Sequence, residues 1–265
     1  MPRRSTIRIA TFNVNGIGAR LPRLLEWLER AQPDVVALQE LKAVDESFPV
    51  DAIEKAGYGA IWHGQRAWNG VALLAKGSMP VESRRGLPGD PSDAQSRYIE
   101  AAVHGIVVAA LYLPNGNPQP GPKFDYKIAW MQRLARHAKT LVDLPHPVVL
   151  LGDFNVVPTD ADIYDAKGWR KDALLQPESR EAFAGLLAQG WTDALLEVLG
   201  PGSGVYTFWD HFRQHAERDR GLRIDHVLLN PVLAGRLKTA GVDRWVRLQP
   251  KASDHAPAWV EVDRD

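Results

Sequence analysis

Seven short apolar runs restrict the fold of this chain more than any other feature of its sequence. They consist mainly of Val, Ile, Leu and Ala, and polar or turn-forming residues bound each one, which is typical of β-strands. His104 and Gly105 divide the longest run and predict a hairpin there. The runs read IRIATFNV, VVALQE, GVALLA, YIEAAVHGIVVAALYLP, PVVLLGDFN, RIDHVLLN and APAWVEV. The chain is therefore expected to be rich in strands, and none of these runs has the length of a membrane-spanning helix.

Helical periodicity marks four of the segments between these strands. Residues 22–31 open with a proline and carry an apolar stripe, and residues 123–142 repeat the pattern. Residues 179–190 and 192–199 follow the rules for helix starts and stops. Strands and helices are interspersed throughout, and no loop rich in proline or glycine is followed by a change of composition. We therefore predict an α/β fold in which residues 1–265 form a single domain.

Composition excludes several classes of protein. Hydrophobic residues make up 45% of the chain and charged residues 24%, as in ordinary soluble globular proteins. The absence of cysteine excludes disulfides, thiolate metal sites and thiol catalysis. The formal net charge of +0 argues against a protein that holds nucleic acid by its overall charge, although the arginines of residues 213–223 allow a local basic face. The first residues lack the apolar core of a secretory signal, so a cytoplasmic protein is expected.

Polar side chains stand at the ends of the apolar runs. Four of them close a run, namely Asn13, Glu40, Tyr112 and Asp153, and two precede one, namely Asp225 and His255. Strands that run in opposite directions bring such ends to one rim, where functional residues commonly gather. Ordinary turn chemistry is the alternative at any single position, since Asp and Asn, as in Asp153 and Asn155, are frequent in turns. The recurrence of the pattern favours a functional site.

The chemical types in this set suit a divalent cation. Glu40 and Asp254, with the amide oxygen of Asn13, form a group of hard oxygen ligands of the kind that Mg²⁺ prefers. A carboxylate such as Asp225 could hold the tautomer of His255 and stabilise its protonated form. No serine lies in a G-x-S-x-G segment, so serine hydrolysis has little support. Metal-assisted hydrolysis is the reaction class that these residues favour.

The order and spacing of longer motifs resemble those of one known protein family. TFNVNGI, ALQELK, WNGVALL, LYLPNG, LLGDFN, GLRIDHVLL and SDHAP follow one another as in the exonuclease III family of DNA-repair nucleases, within the endonuclease/exonuclease/phosphatase superfamily. GDFN and SDHAP are shared across the superfamily, whereas LQE-x-K, Y-x-P-N-G, the K-F-x-Y-K stretch and R-G-L-R-I-D-H together are much more specific to the DNA-repair branch. The resemblance implies a four-layered α/β sandwich, with two mixed β-sheets packed face to face between helices. It also implies a Mg²⁺-dependent site on one rim, for which Mn²⁺ is a possible substitute.

The same resemblance implies a role for each rim residue. It implies that the metal is bound by Glu40, Asn13 and Asp254. It also implies that the phosphate or a second metal is contacted by Asp153, Asn155 and His255. Asp225 is the implied partner of His255, and Tyr112 donates to a phosphate oxygen or assists the leaving oxygen. Asp153 resembles the base that activates water, and the sequence leaves open whether His255 takes that proton instead.

Residues that would hold DNA are implied in the same way. Phe208 and Trp209 match the wall that accepts a sugar without its base. Positions that face the DNA backbone are matched by Arg97, Asn115, Lys123 and Lys127. His211 and Phe212 stand where the family generally has Tyr and Arg, and Asp219 stands where Asn is common. These departures concern the grip on DNA and the balance between endonuclease and exonuclease activity.

The implied reaction is cleavage of the phosphodiester 5′ to an abasic site in duplex DNA, together with trimming of damaged 3′ ends. The trimming includes 3′-5′ exonuclease, 3′-phosphodiesterase and phosphatase activity, and a monomer is expected. One alternative is a phosphoesterase of the same superfamily on a non-DNA substrate, which R-G-L-R-I-D-H disfavours. A catalytically silent nucleic-acid-binding regulator is the other, and it would lack the carboxylates present at positions 40, 153, 225 and 254. We therefore predict a metal-dependent DNA-repair nuclease.

Overall fold

Within residues 5–264, which the computed structural model describes, twelve strands and seven α-helices follow one another along the chain. The strands are β1 (Thr6–Asn13), β2 (Val35–Gln39), β3 (Tyr58–His63), β4 (Val71–Lys76), β5 (Val81–Arg85), β6 (Tyr98–Val103), β7 (Ile106–Tyr112), β8 (Val148–Asp153), β9 (Thr192–Asp193), β10 (Asp225–Leu229), β11 (Leu237–Val242) and β12 (Ala258–Asp263). The helices are α1 (Ile17–Ala31), α2 (Val50–Lys55), α3 (Pro122–Val142), α4 (Ala166–Trp169), α5 (Pro177–Leu187), α6 (Ala194–Leu199) and α7 (Pro231–Ala234). No helix in this part of the chain combines the length and the apolar character that a membrane crossing requires. The basic start of the chain, before Ser5, lies outside the described range.

The strands form two six-stranded mixed sheets. One has the order β11-β12-β1-β2-β4-β3, and the other has the order β5-β6-β7-β8-β10-β9. Each sheet contains one parallel pair, β1 with β2 and β7 with β8, and the other pairs are antiparallel. Parallel neighbours need a long crossover, which α1 and α3 provide. The predicted hairpin at His104 and Gly105 is confirmed, because Val103 of β6 pairs with Ile106 of β7.

Three apolar layers separate four layers of secondary structure. The central layer lies between the sheets and includes Ile9, Val108 and Leu151. A second layer, with Trp130, lies between one sheet and α3, and a third, with Trp27, lies between the other sheet and α1. Full burial of a large aliphatic side chain stabilises the fold by roughly 1.5–3 kcal/mol. The four-layered sandwich of two mixed sheets flanked by helices is thus confirmed.

Burial explains which strands the sequence revealed. Every residue of β2 and β8 is buried, because one face of each strand meets the opposite sheet and the other meets a helix. Such strands have unbroken apolar runs. By contrast, every residue of the edge strand β5 is exposed, and its charges at Glu82, Arg84 and Arg85 discourage pairing with another chain. The edge strands β3, β5, β9 and β11 were therefore not predicted.

Three predicted helices have boundaries that differ from the observed ones. The helix predicted over residues 179–190 spans Pro177–Leu187, because Pro177 suits a first helical position. Helix α1 begins at Ile17 rather than at Pro22, since Ile17 is buried and the first turn closes when Arg20 donates its N–H to the carbonyl of Gly16 at 3.1 Å. Pro22 costs the helix only one bond, to the exposed Gly18. The helix predicted from residue 192 begins two residues later, because residues 192–193 pair with β10 first.

Candidate active site

Strand ends from both sheets build one rim. Asn13 is the last residue of β1, and Glu40 directly follows β2. Tyr112 ends β7 and Asp153 ends β8, and these two residues are register partners. Strand β10 runs the other way and begins at Asp225, opposite Asp153. Residues far apart in the sequence therefore meet because the sheets present these ends at the same edge.

Gly152 allows β8 to deliver Asp153 to this rim. A Cβ atom at Gly152 would lie 1.9 Å from the carbonyl oxygen of Leu111 on β7, so only glycine permits the strands to approach this closely. The chain then turns at Asn155, which has a left-handed φ of 47° and donates its N–H to Asp153 Oδ1 at 2.9 Å. The turn chemistry of GDFN is thus present, and the same turn holds both side chains at the rim.

Glu40, Asp153 and His255 converge at the centre of the rim. One possible ligand atom from each lies within 4.8 Å of the other two. Asn13 Nδ2 donates to Glu40 Oε1 and to Asp153 Oδ2, both at 2.9 Å, and Tyr112 donates its hydroxyl to Glu40 Oε1 at 2.9 Å. Burial and the charges of Glu40 and Asp153 raise the pKa of Tyr112, so it remains a neutral donor. These bonds hold two carboxylates side by side, and Mg²⁺ typically takes one or two carboxylates.

Asn13 faces this centre with its amide nitrogen, and not with the oxygen that the sequence analysis proposed as a metal ligand. Its Oδ1 accepts the backbone N–H of Asn15 at 3.0 Å, and that donor fixes the orientation of the amide. An amide nitrogen is a donor and offers no lone pair to a cation. In this arrangement Asn13 orients the two carboxylates.

His255 lies between two buried acids. Its Nδ1 is 2.7 Å from Asp225 Oδ2, and its Nε2 is 3.7 Å from Asp153 Oδ2. Burial alone would lower the pKa of His255, but the charge and hydrogen bond of Asp225 and the charge of Asp153 raise it to about 10. Burial raises the pKa of Asp153, the charges of Asp225 and Glu40 add to that effect, and the charge of His255 opposes it. At neutral pH the histidine is therefore a cation beside a carboxylate of increased basicity.

Asp254 lies beside the three-residue cluster and is linked to it through two further residues. Asn15 Nδ2 donates to Asp254 Oδ1 at 3.0 Å, and Lys42 Nζ donates to Asn15 Oδ1 at 2.6 Å. The Lys42 ammonium also pairs with Glu40 Oε2 at 2.9 Å. Sequence reasoning gave neither Lys42 nor Asn15 a role. The fixed spacing of Glu40 and Lys42 in LQE-x-K was the signal that could have identified the lysine.

The residues expected to face DNA fall into two groups. Lys123 and Asn115 are exposed, whereas Arg97 is 9% exposed and stacks 4.8 Å from the ring centre of Tyr112. Lys127 is 0% exposed and donates to backbone carbonyls within the protein. Contrary to expectation, Lys127 cannot contact a DNA backbone from this position, because α3 directs it into the protein.

The two residues of the predicted aromatic wall differ in their exposure. Phe208 is partly exposed, and its ring centre lies 5.0 Å from that of His255. Trp209 is 1% exposed, packs against Ala216 and Ala256, and donates its indole N–H to Asp219 Oδ1 at 3.0 Å. The prediction that Trp209 forms part of the wall therefore disagrees with its burial. Asp219, one of the departures from the family pattern, serves as its acceptor.

The other two departures lie on the surface of the same loop. His211 is exposed, and Phe212 is 73% exposed, which is unusual for a large apolar side chain. Arg213 follows them and is also exposed. A guanidinium is thus available one position after the place where the family usually has Arg.

The chain is similar in sequence and in fold to several known proteins. Residues 10–255 match the model of the endonuclease/exonuclease/phosphatase family. Exodeoxyribonuclease III of Haemophilus influenzae is 34% identical over 266 residues, which cover 96% of this chain and 99% of that protein. An AP endonuclease from Archaeoglobus fulgidus has a TM-score of 0.91 and 32% identity, covering 96% of this chain and 98% of that chain. The 3′ phosphatase NExo from Neisseria, bound to a product DNA hairpin, has a TM-score of 0.92 and 39% identity, covering 97% and 99%.

Proposed function

Because this chain belongs to the endonuclease/exonuclease/phosphatase family and is a DNA-repair nuclease, we propose that it uses Mg²⁺ to cleave DNA 5′ to abasic sites and to trim damaged 3′ ends. The similar AP endonuclease and 3′ phosphatase support these two substrates. The observation that carries the proposal is the convergence of Glu40, Asp153 and His255 at the rim. We further propose that the enzyme acts as a monomer in the cytoplasm.

The donor set fits a hard cation. Glu40 supplies a carboxylate oxygen for the cation, while Asp153 beside it stays free to accept a proton, and Mg²⁺ typically takes one or two carboxylates and keeps several waters. The raised pKa of His255 keeps both ring nitrogens protonated, so the histidine is a poor ligand in this state. Asp254 is proposed as a supporting carboxylate, linked to the set through Asn15. When bound, the cation neutralises the phosphate and stabilises the leaving oxygen.

Asp153 is the proposed general base. Burial raises its pKa, which makes it a better acceptor for a proton from water than an ordinary aspartate. His255 is already protonated and cannot take that proton. The water oxygen then bonds to phosphorus while the bond between phosphorus and the 3′ oxygen breaks. The leaving 3′ oxygen takes a proton from solvent water, so the products are a 3′-hydroxyl and a 5′-phosphate.

The remaining rim residues are proposed to stabilise the negative charge that develops on the phosphate. His255 is held as a cation by Asp225 at 2.7 Å. Asn155 donates its backbone N–H to the base at 2.9 Å, and its side-chain amide keeps one hydrogen as a neutral donor beside its bond to the Leu113 carbonyl. Tyr112 is a second neutral donor, because its raised pKa prevents ionisation. Donors that are fixed in place before the reaction contribute most to such stabilisation.

A gel assay tests the proposal directly. A labelled duplex with one abasic-site analogue and a second duplex with a 3′-phosphate are incubated with the protein, with Mg²⁺ and with EDTA. We expect incision of the first and dephosphorylation of the second with Mg²⁺ alone, and neither reaction with Asp153→Asn. Equal rates in EDTA would exclude the proposed metal dependence, and inert DNA substrates would exclude the proposed substrate class.

A further inference from the structure

Lys127 occupies a position on α3 that its neighbours fill with apolar side chains. It is 0% exposed and lies among the buried residues Phe124, Trp130 and Met131 of that helix. Burial lowers its pKa to about 7, and the charges of Asp172 and Asp153 oppose that effect. An ammonium group carries a large desolvation cost when it is buried, so its retention calls for specific partners.

The ammonium has two such partners, and both belong to the rim. Nζ donates to the backbone carbonyl of Asn115 at 3.0 Å and to that of Asn155 at 2.5 Å. Asn115 follows β7 and Asn155 follows β8, so one side chain joins the loops after two parallel strands. The side chains of these residues are also bonded, since Asn115 Nδ2 donates to Asn155 Oδ1 at 3.1 Å. Asn155 Nδ2 donates in turn to the carbonyl of Leu113 at 2.9 Å.

The loop after β7 is shaped to the lysine. Gly116 has a φ of 91°, and a Cβ atom there would lie 2.7 Å from Lys127 Cδ. Glycine therefore lets the backbone pass directly over the aliphatic stem of the lysine. The carbonyl of Asn115, the residue before Gly116, reaches the ammonium as a result.

We propose that Lys127 is a positioning residue for phosphodiester hydrolysis, whose ammonium holds the carbonyls of Asn115 and Asn155 so that the Asn155 amide meets the reacting phosphate. This inference rests on the proposed function. Lys127 acts through Asn155 and does not touch the substrate. Besides the ammonium, the two segments are joined by the bond from the Leu113 N–H to the Asp153 carbonyl at 2.8 Å and by the side-chain amides of Asn115 and Asn155. A small displacement of a catalytic donor can cost a large share of the rate.

A double-mutant cycle tests this coupling. Lys127→Met keeps the stem and removes the charge, and we expect it to lower kcat about 10- to 100-fold with little change in KM. Asn155→Ala should lower kcat by itself, and the double variant should be no slower than Asn155→Ala, because both changes remove the same interaction. Leu134→Ala, on the same helix, is the matched control: its effect on kcat should be small and should multiply with that of Asn155→Ala. The proposal would be overturned if the loss of kcat in the double variant equalled the product of the losses caused by Lys127→Met and Asn155→Ala separately.

An NMR measurement separates this inference from the proposed function. The Asn155 side-chain amide signals are expected to shift or broaden in Lys127→Met and to stay unchanged in Leu134→Ala. This readout needs no turnover, so it remains decisive even if the wild-type protein cleaves none of the tested duplexes. Unchanged Asn155 signals in Lys127→Met would overturn the proposal.

The absence of cysteine allows a rescue experiment. Lys127→Cys introduces the only thiol of the chain, which can be alkylated in the unfolded protein before refolding. Aminoethylation rebuilds an ammonium at the length of lysine, whereas carbamidomethylation adds a neutral group of similar size. We expect only the aminoethylated protein to recover the kcat of wild type that has been unfolded and refolded in parallel. Equal rates for the two adducts would show that volume, and not charge, matters at this position.

Discussion

Replacing Asp225 with Asn tests the charge interaction between Asp225 and His255. Both Asp225 and His255 are almost fully buried, and Asp225 Oδ2 lies 2.7 Å from His255 Nδ1. The substitution keeps size and shape and removes one negative charge. Without that charge, the effect of burial on His255 is no longer offset to the same extent, so its pKa must fall.

The size of the fall follows from Coulomb's law. Two unit charges whose centres are about 4 Å apart interact by about 4 kcal/mol at an effective dielectric constant of about 20. Since about 1.4 kcal/mol corresponds to one pKa unit, the pKa of His255 should fall by about three. It starts at about 10, so it should approach neutrality in the variant. The amide can also stabilise the wrong tautomer, and loss of turnover by about 10³- to 10⁴-fold is expected from analogous acid-to-amide changes.

Two measurements check this prediction. NMR titration of the His255 ring, assigned by comparison with His255→Gln, gives its pKa in wild type and in Asp225→Asn. The pH profile of kcat gives the functional consequence. Raising the pH deprotonates the histidine, so the variant should lose rate as pH rises through neutrality, whereas wild type keeps its cation until a much higher pH. The loss of kcat in Asp225→Asn relative to wild type should therefore be larger at pH 8 than at pH 6.

A matched control separates the charge effect from general destabilisation. Glu100→Gln removes the carboxylate of β6 that lies 3.0 Å from another histidine, the partly buried His137 of α3. It should lower the melting temperature and leave the pH profile of kcat unchanged. An unchanged pKa of His255 in Asp225→Asn, or a wild-type pH profile of kcat in that variant, would refute the electrostatic role of Asp225.

Four further predictions concern the metal ligand, the general base, the titration of that base and the binding of duplex DNA. Glu40→Gln should nearly abolish cleavage because it removes a metal-binding carboxylate, and excess Mg²⁺ should restore part of the activity. The melting temperature should not change, because the substitution removes no volume from the core. Wild-type activity in this variant would show that Glu40 is not a metal ligand. Asp153→Asn should lower kcat by about 10²- to 10⁴-fold, and gel shifts should show equal or tighter DNA binding because a negative charge near phosphate is lost. The raised pKa of Asp153 also predicts that wild-type kcat falls on acidification at a pH well above the ordinary carboxyl range, and a fall centred near about pH 4 would contradict its role as base. Phe212→Arg should steepen the fall of duplex affinity with increasing salt concentration, because it adds a guanidinium charge. If this salt dependence is unchanged in Phe212→Arg and becomes shallower in Arg213→Ala, Arg213 already supplies that charge.

The sequence by itself determined the fold class and the composition of the rim. Apolar runs such as VVAL in β2 and VVLL in β8 are local patterns, and they could be recognised because strands buried on both faces consist mainly of apolar residues. Glu40, Asp153 and Asp225 stood out for the same reason, since each is a charged residue at the end of such a run. The edge strand β5 escaped prediction because an exposed strand needs no apolar pattern.

Only the tertiary structure decided which atom each polar residue presents, and to what. Asn13 and Asp153 are 140 positions apart, yet their bond directs an amide nitrogen where the sequence suggested a ligand oxygen. Lys127 and Trp209 carry groups that commonly contact DNA, but both are buried within the protein. Side-chain chemistry is a property of one residue, whereas burial and hydrogen-bond direction depend on the elements packed around it. Those elements come from distant parts of the chain, so no local pattern contains the information.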